Sequence, residues 1–113
     1  KLEETIQRPA IESLIHMQDI SQGQIYNFVF KSFEETFKKY ESNFNFIHFA
    51  NSTDKDLTFF LSVKDDKIKE TLENLEYDYF TSEIHNYLDV NFCFLEFDME
   101  KDLSNTEKLI INA

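Results

Sequence analysis

The chain has 113 residues, 22 Asp/Glu against 11 Lys/Arg for a net charge of -11, and 13 Phe with 5 Tyr but only 1 Gly and 1 Pro. That length fits one domain able to bury roughly two-thirds of its unfolded surface, and the 42 % hydrophobic content, arranged in periodic groups, opposes the disorder that the charge favours. One glycine cannot build a P-loop or a dinucleotide fingerprint, Lys38-Lys39 is the sole adjacent basic pair and argues against direct nucleic-acid binding, and no apolar run approaches the ~18 residues of a membrane span.

Pro9, followed by Ile11, Leu14 and Ile15 at i, i+3, i+4, predicts a short helix near 9–18. Ser21 then offers an N-cap to a helix over 22–41, where Ile25, Phe28, Val29, Phe33 and Phe37 form a stripe widened by Tyr26, Phe30 and Tyr40. This helix is expected to be the centre of the core. Residues 44–49 are β-prone, and residues 57–63 place Leu57, Phe59, Leu61 and Val63 on one strand face with Thr58, Phe60 and Ser62 on the other. The polar connector 51–56 between them predicts a hairpin.

Asp65 or Asp66 can cap the next helix, with Ile68, Leu72, Leu75 and Tyr79 on the buried side and Asp66, Glu70 and Glu73 on the wet one. Phe80, Ile84, Tyr87 and Leu88 continue the period, and Thr81 or Ser82 can cap a second helix, so the region is one kinked helix or two. Residues 91–97 are a third strand apolar on both faces, as expected of a strand covered on both sides or placed centrally. From Asp98 the chain is polar until Leu109, Ile110 and Ile111, a stretch that docks or frays.

Cys93 is alone, so it forms no internal disulfide, and its neighbours Phe92, Phe94 and Leu95 predict a small buried hydrophobe. A reducing, cytoplasmic setting fits, since no basic region ahead of an apolar stretch marks a signal peptide. The start at Lys1 fits a processed protein, an excised domain or a cloning remnant, and 1–113 reads as one acidic domain that could belong to a larger chain. His16, His48 and His85 are scattered without metal-ligand spacing. Asp98, Glu100 and Asp102 alternate like the start of a calcium loop, but the turn glycine and closing Glu are missing. No cofactor or metal is expected. His48, in an aromatic strand, is the least ordinary catalytic candidate, and a satisfied core or edge histidine is the preferred reading. Asn51-Ser52-Thr53 matches the glycosylation pattern and reads as turn chemistry.

The remaining signal is the distribution of charge. Residues 65–113 hold 13 Asp/Glu against 4 Lys/Arg, net -9, whereas residues 1–64 hold 9 against 7, net -2. Asp66, Glu70, Glu73 and Glu76 are the expected partner-binding residues, joined by Asp78, Glu83, Asp89, Glu96, Asp98, Glu100 and Asp102, with Lys67 and Lys69 able to pair with Glu70 and Glu73. Together the elements predict an α+β domain with a small, mainly antiparallel three-stranded sheet packed against three or four helices. The expected function is a non-enzymatic protein-interaction module whose acidic face docks a basic protein partner. Two alternatives stand beside it: an acidic inhibitor or immunity-type protein blocking a nucleic-acid-binding protein, and a small enzyme or ligand sensor with a Phe-lined cavity.

Overall fold

A computed structural model describes residues 21–53 and 55–109. The helix expected near 9–18, His16, and the apolar pair Ile110 and Ile111 lie outside the described residues. Helix α1, Gln22–Lys39, opens on a capping box: the Ser21 hydroxyl accepts from the Gln24 N–H at 3.2 Å while the Gln24 side chain accepts from the Ser21 N–H at 2.9 Å. Lys38 and Lys39 sit in the last turn, where cations suit the helix dipole. Ile25, Val29, Phe33 and Phe37, four residues apart, are buried. Phe28 departs from the expected stripe at 41 % exposed, because one residue's rotation of about 100° turns it away from Val29 and the core.

After a 3₁₀ turn at Glu41–Asn43, strands β1, Phe44–Ala50, and β2, Asp56–Val63, form the expected antiparallel hairpin. Its connector is tied by the Asp56 carboxylate, which accepts from the backbone N–H and the hydroxyl of both Ser52 and Thr53 at 2.8–3.1 Å. A bulge at Asn45 breaks the register between the pairs Phe44↔Val63 and Phe46↔Ser62. The extra residue flips the alternation, so Phe44 shares the helix-facing side with Ile47 and Phe49, while Phe46 and His48 point to the outer face.

Helix α2, Asp66–Phe80, starts where the Asp65 carboxylate accepts from the Lys67 N–H at 2.7 Å. It buries Leu72, Leu75 and Tyr79, with Ile68 half-buried. It crosses to strand β3, Asp89–Phe94, which lies parallel to β2. Between them α2 ends and a separate 3₁₀ turn, Glu83–Asn86, follows, burying Ile84 as its spacing predicts while leaving Phe80 and Tyr87 in solvent. The Tyr79 hydroxyl, its titration driven far upward by burial, donates to the Leu88 carbonyl at 2.7 Å and locks this corner to the core.

The α+β class holds, and the sheet differs in detail from expectation. It is four-stranded and mixed, in the order β3-β2-β1-β4, with β4, Glu107–Lys108, antiparallel to β1. Among the described residues the helices are α1 and α2, supplemented by three 3₁₀ turns. Both helices lie on one face, where Phe33, Phe37, Phe59 and Phe92 pack ring against ring at centroid distances of 4.9–6.3 Å. β3 is an edge strand rather than a central one. Val90, Phe92 and Phe94 turn inward, so Cys93, one residue out of phase, faces outward and is exposed instead of buried. Maleimide labelling of native Cys93 is therefore expected to run within about tenfold of the denatured rate; a native rate slower than that by a factor of a hundred would return the thiol to the core.

Candidate protein-docking face

Asp66, Glu70, Glu73, Tyr77 and Phe80 follow one another along α2 at steps of four, three, four and three residues, which keeps them on one side of the helix over about 21 Å. All five are exposed, Tyr77 at 66 % and Phe80 at 58 %. Buried Leu72, Leu75 and Tyr79 hold the opposite side against the core, so the strip has a fixed backing. The Phe80 ring rests at 4.5 Å from the His85 ring, whose Nδ1 lies 3.4 Å from the Asp89 carboxylate.

The expected partner-binding residues divide. Asp66, Glu70 and Glu73 stand together on the wet side. Glu76 does not join them: it sits round the flank of α2, half-buried, and its carboxylate accepts from the Phe92 backbone N–H at 2.7 Å. In a parallel pair alternate N–H groups point away from the neighbour, and the Phe92 N–H, on the outer edge of β3, is satisfied by this side chain. Glu76 is thus a clasp that blunts a sheet edge. Glu100 is likewise engaged, with His48, and Asp89 lies 3.4 Å from His85 Nδ1 without a hydrogen bond to it. Tyr77 and Phe80 were not among the expected contact residues, although their spacing continues the Asp66–Glu73 progression.

The outer face of the sheet carries a second polar cluster. The segment after β3 crosses this face through a 3₁₀ turn, Phe97–Asp102, to reach β4 at the far edge. His48 holds it there, with Nε2 at 2.8 Å from the Glu100 carboxylate and Nδ1 at 3.0 Å from the Thr106 hydroxyl, while Lys108 Nζ is 3.3 Å from the same Glu100 oxygen. A hydroxyl, an imidazole and a carboxylate in line have the order of a nucleophile, base and orienting acid, and here all three also serve as ties between crossover and sheet. The hydrogen bond from His48, aided by Lys108, holds the Glu100 carboxyl below the usual carboxylate range. Its contribution to stability is therefore complete above the ordinary value of 4.5 and is lost as pH falls through the lowered one.

Asn51 serves turn geometry, accepting from the Tyr26 hydroxyl at 3.2 Å and donating to the Thr53 carbonyl at 3.0 Å. Among the described residues, no group of three or more His, Cys, Asp or Glu is placed to hold a metal ion, and no helix is long and apolar enough to cross a membrane. A concavity of about 290 Å³ lies beside Asp66, Lys69 and Phe94, at the start of the exposed α2 strip, with the Lys69 ammonium 5.4 Å from the Phe94 ring centroid. No family model matches the chain, and no match was found among curated proteins or solved structures.

Proposed function

We propose that this chain is a non-enzymatic protein-interaction module that docks a protein with a basic surface through the outer strip of α2. The observation that carries the reading is the exposure of Tyr77 and Phe80 in line with Asp66, Glu70 and Glu73. Two large rings in water cost hydrophobic free energy that a partner can recover, and aromatic anchors beside a polar rim are the composition of binding hot spots. The carboxylates would raise the rate of encounter with a cationic surface, and the rings would slow release. The close packing of the core rings favours this over a sensor built on a Phe-lined cavity, and the lone cysteine supports a reducing, cytoplasmic setting.

The test uses the natural partner, captured from the source cell, in surface-binding kinetics. Glu70→Lys with Glu73→Lys is expected to slow association about tenfold at low salt and to flatten its salt dependence, whereas Tyr77→Ala with Phe80→Ala is expected to speed dissociation by a similar factor. Unchanged kinetics in both double variants would remove the strip as the docking site. The inhibitor reading adds one requirement, that a nucleic acid compete with this chain for the partner; absence of competition rejects that version and leaves the general one.

A further inference from the structure

Building on the docking reading above, we propose that the protein partner presents arginine rather than lysine side chains to the outer strip of α2, a guanidinium bridging a carboxylate and a ring face. The charge of the strip is not cancelled from within. Among the described residues the ion pairs are His48–Glu100, His85–Asp89 and Lys108–Glu100, and none reaches Asp66, Glu70 or Glu73. Lys69 has the spacing to pair with Glu73, yet its ammonium lies instead over the Phe94 ring, 5.4 Å from the centroid. That is the one cation placed over a ring among the described residues, so the exposed rings of Tyr77 and Phe80 carry none. Carboxylates without a counter-charge and ring faces without a cation therefore stand side by side on one helix.

Spacing sets what one ligand group can touch. Glu73 and Tyr77 are four residues apart and Tyr77 and Phe80 three, which puts neighbouring Cβ atoms about 5–6 Å apart on one side of the helix. The Cα–Cβ bonds of a helix tilt toward its N-terminus, so that of Tyr77 is directed toward the turn that carries Glu73. A cation held by Glu73 thus comes within reach of a ring whose quadrupole attracts it over ~6 Å from the centroid. Guanidinium and ammonium differ at such a place. The guanidinium is planar and weakly hydrated, and it can lie flat on a ring while its edge forks onto a carboxylate; the ammonium is a compact charge that must shed tightly held water to touch the ring. The Phe80 ring gives the strip a fixed end, because it leans on the His85 ring at 4.5 Å and is still largely open to a partner. At the other end Asp66 and Glu70 offer charge without a ring, and there either cation serves.

The experiment is calorimetric titration of the full chain at low salt with two alanine-based helical peptides, identical except that one carries arginines and the other lysines at alternating steps of four and three residues. The arginine peptide is expected to bind about tenfold tighter. Tyr77→Leu with Phe80→Leu keeps apolar surface but removes the ring faces, and should shrink that preference to about threefold, the share left to forked carboxylate contacts. An unchanged urea midpoint in this variant shows that the fold is intact, as expected at exposed positions. Glu70→Lys with Glu73→Lys should weaken binding of both peptides. Equal affinity for the two peptides, failure of both to bind, or a full arginine preference that persists in the leucine variant overturns the proposal. Each of these results leaves the docking strip in place as long as the natural partner's kinetics respond to the strip variants, whereas a partner indifferent to those variants removes both.

Discussion

Replacing Phe33 with Ala is expected to cost about 3–5 kcal/mol of stability, measured as a shift of the urea unfolding midpoint at unchanged slope. Phe33 has no exposed surface. Its ring meets Phe37 one turn on along α1, Phe59 on β2, Tyr79 on α2 and Phe92 on β3, at centroid distances of 5.5–6.3 Å. It is the point at which both helices and two strands share one contact, so truncation opens a cavity that no single neighbour can close without abandoning another ring. A measured loss below about 1 kcal/mol would mean that the α1–α2–sheet junction relaxes freely, contrary to this packing. Phe28→Ala on the same helix is the control, and its exposed ring should cost far less.

Changing Glu76 to Ala is expected to cost about 1–2 kcal/mol, less than a fully buried charged bond would because the carboxylate is partly in water. Glu70→Ala and Glu73→Ala should stay within about 0.5 kcal/mol of wild type. The difference arises from the Phe92 N–H: without the carboxylate at 2.7 Å, that donor on the outer edge of β3 loses its protein partner. Chemical denaturation of the three single variants decides the matter. Equal costs would place all three carboxylates in the same environment and revive the four-residue face. The contrast also shapes the binding test, since a charge reversal that included Glu76 would mix a folding defect with a docking one.

Much of the local structure was legible because period and capping act over a few residues. The Ile25–Phe37 stripe, the Ser21 cap, the hairpin and the Leu72–Tyr79 side of α2 each follow from spacing that a short window contains. Phe80 departs from expectation for the same reason. Its spacing to Ile84 and Leu88 predicts a continuing helix, but α2 stops at Thr81, with Ser82 donating to the Tyr79 carbonyl, and the ring stays on the wet side in line with Glu73 and Tyr77. The exposed strip was therefore half visible: its carboxylates showed in the pattern, whereas Tyr77 and Phe80, whose spacing continues theirs, were obscured by the rival period running from Phe80 to Ile84 and Leu88.

Composition and periodicity by themselves determined an α+β domain with a Phe-rich core and a strongly acidic second half, because burial and net charge depend on residue type and short-range spacing. Tertiary structure alone decided which acids are free. Glu76 and Glu73 are chemically identical and three residues apart, yet one lies beside an unpaired edge N–H and the other beside water. The edge position of β3, the outward turn of Cys93, the two-residue β4 and the His48 tie across the sheet are of the same kind. Each rests on a contact between segments distant in sequence, whose geometry follows from how the whole chain closes on itself rather than from any window of it.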